Sequence, residues 1–172
     1  MAFRDHHEDP APSAATSSFC AHFAHGVVMN FDVEKAIAGY ALFLGSLDRT
    51  RISRMSEIIA PDVEFSDPFN RVNGLAAMQH IFEDMYETLG EVRFDIHHHA
   101  ATGRSGFLQW HFHSVLRGQP WSFEGVTYVE FDEKGLVSRH ADQWDAAREF
   151  YEHFPVIGWV LGTIRRKLSL KS

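Results

Sequence analysis

The chain has 172 residues, enough for one domain with a sizeable core and too few for two comfortable ones. Hydrophobic residues make up 45% and charged residues 23%, which excludes a chain disordered throughout and a collagen-like repeat, and the single cysteine, Cys20, excludes an internal disulfide framework. The formal charge is −7, but Arg165, Arg166, Lys167 and Lys171 all fall in the last eight positions, so residues 1–164 carry −11; so acidic a body repels phosphate backbones and argues against a nucleic-acid partner.

Residues 1–18 are polar and rich in Pro, Ala and Ser, without the basic-then-apolar order of a signal peptide. Residues 1–33 are therefore expected to form a flexible or accessory arm, and the expected location is cytoplasmic. Residues 34–48 repeat Ile37, Tyr40, Ala41, Leu44 and Leu47 at spacings of three and four, which predicts a helix. A short helix is expected near 51–60, stopped by Pro61, and a brief extended piece at Val63–Ser66. Residues 75–89 carry Leu75, Met78, Phe82, Met85 and Leu89 on one face, with Gly74 before and Gly90 after, and give the clearest helical pattern.

From residue 91 the period changes to two. Strands over 91–101, Phe107–Leu116, Trp121–Phe131 and Leu136–Trp144, separated by short turns, predict an antiparallel meander. Apolar residues occupy both parities of these strands. One face is therefore expected to meet helices and the other to meet a second copy or enclose a pocket, which predicts a homodimer through the sheet. Residues 146–153 return to helix. Pro155 and Gly158 interrupt before a final apolar, then basic, segment at 155–172, expected to pack on the domain or its dimer partner. Its cations suit a helix C-terminus, where they oppose the negative dipole end, or an acidic partner or lipid headgroup. No stretch approaches the roughly 20 apolar residues of a membrane span.

Four stretches, Ile59–Phe69 with its Asp67-Pro68 step, the Gly74-led helix, Trp121–Phe131 with the turn after it, and His140-Ala-Asp-Gln-Trp-Asp145, together resemble the nuclear transport factor two-like superfamily, in its SnoaL-like branch. The resemblance spans about residues 34–154. It implies an α+β fold, a cone-shaped roll of helices packed on a strongly curved antiparallel sheet, and hosts isomerases, cyclases, dehydratases, epoxide hydrolases, binding proteins and non-catalytic partners.

Asp67, before Pro68, resembles the general base of the ketosteroid isomerase relatives; read alone, it equally suits an Asp that bonds its own turn. His140, Asp142 and Trp144 alternate, so a regular strand aims all three to one face. The resemblance makes Asp142 an acid–base carboxylate, with His140 to bond it and Trp144 as an apolar wall; the competing reading pairs Asp142 with Arg139 or Arg148. Tyr40 stands where ketosteroid isomerases place a phenol. Asp145 suits a helix N-cap. Epoxide hydrolases of this fold need an Arg flanked by two Asp, for which Arg93 with Asp67 and Asp142 is conceivable.

The candidate pocket lining is Tyr40, Phe69, Trp110, His111, Phe112, His113, Phe123, Tyr128 and Trp144. His111 and His113 share a strand face and could pair on a metal, but nothing fixes a third ligand, so no metal and no cofactor are expected. Three functions stay open: a cofactor-independent cyclase, isomerase or dehydratase acting on a small hydrophobic carbonyl compound through Asp67 or Asp142 with His140 as a catalytic relay, a non-catalytic hydrophobic-ligand-binding module, or a protein-interaction domain.

Overall fold

The computed structural model describes residues 31–169, so the expected N-terminal arm falls outside the described residues up to Asn30. Helix α1 runs Val33–Gly45; Asp32 caps it by accepting from the Lys35 amide at 3.1 Å. Its stripe of Ile37, Tyr40, Ala41 and Leu44 is buried, as the spacing predicts. A 3-10 turn at Ile52–Glu57 leads into β1 (Ile59–Ser66), β2 (Arg71–Asn73) and helix α2 (Leu75–Thr88). Gly74 enters α2 at φ 93°, a conformation that favours glycine, and α2 buries Met78 and Phe82.

Four long strands follow: β3 (Gly90–Thr102), β4 (Ser105–Leu116), β5 (Gln119–Phe131) and β6 (Val137–Gln143). Arg117 and Gly118 both have positive φ between the paired Leu116 and Gln119, a two-residue hairpin turn that matches strand twist. The sheet order is β2-β1-β6-β5-β4-β3. The meander is antiparallel, but β1 pairs with β6 in parallel, with Phe65 opposite His140, so the whole sheet is mixed. A parallel neighbour leaves no local signal in an eight-residue strand that contains a proline. It is fixed by the return of β6 after the meander, far along the chain.

Helix α1 lies over β3 and β4, and α2 over β1 and β2, so one sheet face is an inner, covered face. Leu108, Trp110, Phe112, Trp121, Phe123, Val129 and Phe131 point inward and are buried. Full burial of each large side chain contributes about 1.5–3 kcal/mol, which makes this face the main source of stability. The opposite parity carries Phe107, Val126 and Tyr128 outward among His111, His113, Glu124 and Glu130.

After β6 come α3 (Ala146–Glu149), a 3-10 turn at Tyr151–His153 and helix α4 (Pro155–Leu168). The sequence reading treats Pro155 and Gly158 as interruptions; the chain is helical through both. Proline at the first helical position costs no hydrogen bond. Gly158 faces the preceding turn so closely that a Cβ there would lie 2.1 Å from the Glu152 carbonyl oxygen. Among the described residues no helix is long and apolar enough to cross a membrane.

Candidate functional site

The ladder between β5 and β6 sets Thr127 opposite Asp142 and Val129 opposite His140, and strand pleating turns His140, Asp142 and Trp144 to the inner face. On β4, Trp110 pairs with Gly125 of β5. A Cβ on Gly125 would sit 2.2 Å from the indole, so only glycine lets the ring lie flat across β5 and reach Thr127, two residues on.

These placements build one buried hydrogen-bonded chain. Tyr40 Oη meets His140 Nδ1 at 2.6 Å, and His140 Nε2 meets Asp142 Oδ1 at 2.9 Å. From the other side Trp110 Nε1 donates to Thr127 Oγ1 at 2.8 Å, and Thr127 Oγ1 donates to Asp142 Oδ1 at 2.5 Å. With a neutral imidazole and an ionised Asp142, the phenol donates to Nδ1 and the proton on Nε2 is donated to the carboxylate. Both arms thus end on one oxygen, Oδ1. Asp142 Oδ2 has no hydrogen-bond partner among the described residues and is not sealed from solvent.

The surroundings are largely buried. Tyr40, Trp110, Thr127 and His140 are buried, whereas the Asp142 side chain keeps 15% of its surface exposed. Phe65 stacks on His140 with ring centroids 5.1 Å apart, and Tyr40 meets the same imidazole edge-on at 5.9 Å. Burial, and next the Asp142 charge, hold the Tyr40 phenol well above its usual range, so it stays a neutral donor through physiological pH. A groove of about 560 Å³ between the start of α1 and the end of β5, with Lys35, Gly39, Phe131 and Val137 in its walls, borders Tyr40.

Asp67 lies just past Ser66, which pairs with Ala141, so the register puts Asp67 level with Asp142 on the neighbouring strand. Its carboxylate is occupied locally: Oδ1 accepts from the Phe69 and Asn70 amides at 2.7 and 2.6 Å, and the Asn70 side-chain amide donates to both oxygens. That is the turn-forming geometry of an Asp before proline. The turn presents Phe69 to Trp144 and Phe150, with ring centroids 5.3 and 5.0 Å apart, and Trp144 stacks on Phe123 at 4.3 Å. An aromatic cluster therefore closes the end of the inner face where Asp142 stands.

Of the expected lining, Tyr40, Trp110, Phe112 and Phe123 lie on the inner side, and Phe69 and Trp144 in the closing cluster. His111, His113 and Tyr128 point outward and do not meet the others. His113 Nε2 lies 3.1 Å from Asp95 Oδ2 and stacks on His111. Among the described residues no three His, Cys, Asp or Glu side chains are arranged to hold a metal ion. Neither arginine proposed to pair with Asp142 does so: Arg139 reaches Glu130 at 3.5 Å, and the Arg148 amide bonds the Asp145 cap. Arg93 pairs with Asp95, away from both candidate aspartates. The sequence reading missed Thr127. Its signal is a lone hydroxyl at an inward parity position between Phe123 and Phe131.

The SnoaL-like domain profile matches residues 40–140, well over half of the chain. No curated protein matches the sequence. Among solved structures, an LEH-like epoxide hydrolase from M. tuberculosis superposes with a TM-score of 0.59 at 17% identity, covering 80% of this chain and 96% of that one. TerC, crystallised with polyporic acid, gives 0.56 at 19% identity over 66% of this chain and 92% of its own. A protein of ketosteroid isomerase-like fold from Catenulispora acidiphila, in complex with trimethylamine, gives 0.58 at 11% identity over 67% and 88%. At these identities the structures establish a shared fold, the cone-shaped α+β roll, and the profile establishes the family: this chain belongs to the SnoaL-like domain family.

Proposed function

We propose that the protein is a cofactor-independent acid–base catalyst acting on a small hydrophobic carbonyl compound, as a cyclase, isomerase or dehydratase, with Asp142 as the proton-transfer group. The observation that carries this reading is the convergence of both buried arms on Asp142 Oδ1, which leaves Oδ2 as the free base. Oδ2 takes the proton α to the carbonyl, the electron pair passes toward the carbonyl oxygen, and the carboxylic acid so formed returns the proton at another position. His140 and Thr127 hold the carboxylate still through this exchange, and Tyr40 keeps the imidazole in the donating tautomer. Asp67 serves by holding the Phe69 turn beside Asp142. Neighbours of this fold that act on or bind small organic molecules support the substrate class.

The protein is read as cytoplasmic and as a homodimer through the outer sheet face, where Phe107 is about half exposed beside Val126 and Tyr128. The dense aromatic packing around Phe123 and Trp144 favours a second reading, a non-catalytic module for an apolar ligand. Turnover and binding on a panel of small ketones and enones separate the two. Asp142→Asn keeps the shape and removes the base, so the catalytic reading expects turnover to fall by about 10²-fold or more with binding retained. Binding without turnover in the unaltered protein would leave the binding module.

A further inference from the structure

Helix α4 takes no part in the hydrogen-bonded site. It touches the rest of the chain along one narrow side: Gly158 turns toward the preceding 3-10 turn, Gly162 is buried, and Arg165 bonds Glu152 at 2.7 Å. The side it turns outward is apolar. Val156, Val160, Ile164 and Leu168 follow one another at intervals of four, Ile157 flanks them, and Trp159 lies on the adjoining edge. Val156, Trp159 and Leu168 are 77%, 71% and 80% exposed, and six of the eleven exposed large hydrophobic side chains among the described residues belong to these 14 residues. That density is not ordinary surface scatter.

The charge around the stripe is mostly positive, although Asp145 and Glu152 also line the cleft between α3 and α4 beside Ile164 and Leu168. Residues 155–172 contain four cations and no acid. Arg165, Arg166 and Lys167 sit in the last turn, Arg148 lines the cleft between α3 and α4, and Arg117 stands over Phe154 at 4.8 Å just before α4. Of the two acids in that cleft, Glu152 is bonded to Arg165 and Asp145 accepts from the Arg148 amide as the cap of α3. Pairing α4 with the α4 of a second copy would bury the stripe but bring cations together with no acid in either helix. An anionic surface resolves both features at once. The apolar stripe enters the acyl boundary, Trp159 takes the interface, and the long cationic side chains reach the headgroups.

We propose that α4 docks the protein on the surface of an anionic lipid bilayer, lying in the interface rather than crossing it. Phe154 contacts Phe150, and Phe150 contacts Phe69, so docking through α4 brings the aromatic end of the inner face near the bilayer. An apolar substrate could then arrive from the lipid. The proposal stands whether or not the site is catalytic.

The test is co-sedimentation of the full chain with phosphatidylcholine vesicles and with vesicles in which about a third of the lipid is phosphatidylglycerol. The expected result is binding at least about tenfold tighter to the anionic vesicles, weakened by added salt. Trp159 emission should shift to the blue, a change lost in Trp159→Phe. Val160→Asp with Ile164→Asp, and separately Arg166→Gln with Lys167→Gln, should each weaken binding by about tenfold or more while melting curves show the fold retained. Absence of binding to anionic vesicles overturns the proposal, as does binding that survives both pairs of substitutions. Concentration-dependent self-association abolished by Val160→Asp with Ile164→Asp, without vesicle binding, would also overturn it and assign the stripe to a second copy.

Discussion

Thr127→Val removes one hydroxyl from the middle of the buried chain and changes little else in volume. Two groups lose their partner. Trp110 Nε1, on an indole only 2% exposed, is left without an acceptor, which costs about 1–3 kcal/mol. Asp142 Oδ1 loses one of its two donors, a bond to a charged group worth about 1.5–3 kcal/mol in general. Here the value falls at the low end, because His140 still bonds the same oxygen and the carboxylate is partly exposed. The losses share one hydroxyl and do not add fully, so the expected destabilisation is about 2–4 kcal/mol, a fall in melting temperature of roughly 5–15 °C for a chain of this size. Thr127→Ser keeps both bonds and removes one buried methyl, so it should cost only about 1 kcal/mol. Urea unfolding of both variants, with an unchanged slope against denaturant, makes the measurement. A valine variant within about 0.5 kcal/mol of the parent, or a serine variant as damaged as the valine one, would refute the claim that Thr127 links Trp110 to Asp142.

Gly125→Ala would place a Cβ 2.2 Å from the Trp110 ring, so it should destabilise by about 1–3 kcal/mol or more and perturb the near-UV signal of the indole, read by circular dichroism. Burial pushes the Tyr86 phenol up to about 12 and Tyr40 well above its usual range, so well below the ordinary tyrosine value of about 10 both are protonated whether the chain is folded or not and contribute no slope. Above about pH 10 the unfolded chain releases protons that the folded chain retains, so stability should fall as pH rises; urea melts from pH 9 to 11 should show this, with a shallower fall in Tyr86→Phe. Asp67→Asn turns an acceptor into a donor facing the Asn70 amide, so it should loosen the Phe69 turn and cost about 1 kcal/mol by thermal melting. Light scattering at micromolar concentration should report a dimer, and Phe107→Glu should shift it to monomer if the outer sheet face is the contact.

Periodicity made much of the fold legible. The stripe of Ile37, Tyr40, Ala41 and Leu44, the stripe of Met78 and Phe82, and the alternation over four strands all state which face is buried before any contact is known. What it could not state is pairing at a distance. Strand β2 has three residues and no pattern, and the parallel fit of β1 on β6 depends on a ladder between residues some 75 positions apart. Helix α4 was obscured because glycine and proline read as breakers, whereas Gly158 is there for close approach to Glu152 and Pro155 for a helix start. In the site, the alternation of His140, Asp142 and Trp144 was readable. The sharing of Asp142 Oδ1 between His140 and Thr127 was not, because it needs the β5–β6 register and the flat indole above Gly125. The histidines of β4 were misleading for a simple reason: the alternation that buries Trp110 and Phe112 sends His111 and His113 to the other face.

In the proposed reaction Asp142 Oδ2 moves a proton on a bound carbonyl compound. This transfer is tested most directly by following exchange of α-hydrogens for deuterium in small hydrophobic ketones, by proton NMR in deuterated buffer, with the protein and its Asp142→Asn variant side by side. Exchange is expected well above the buffer rate, falling by about 10²-fold or more in a variant that remains folded. Exchange that proceeds equally in both proteins, or no exchange above buffer from the unaltered protein across ketones that it demonstrably binds, would contradict it.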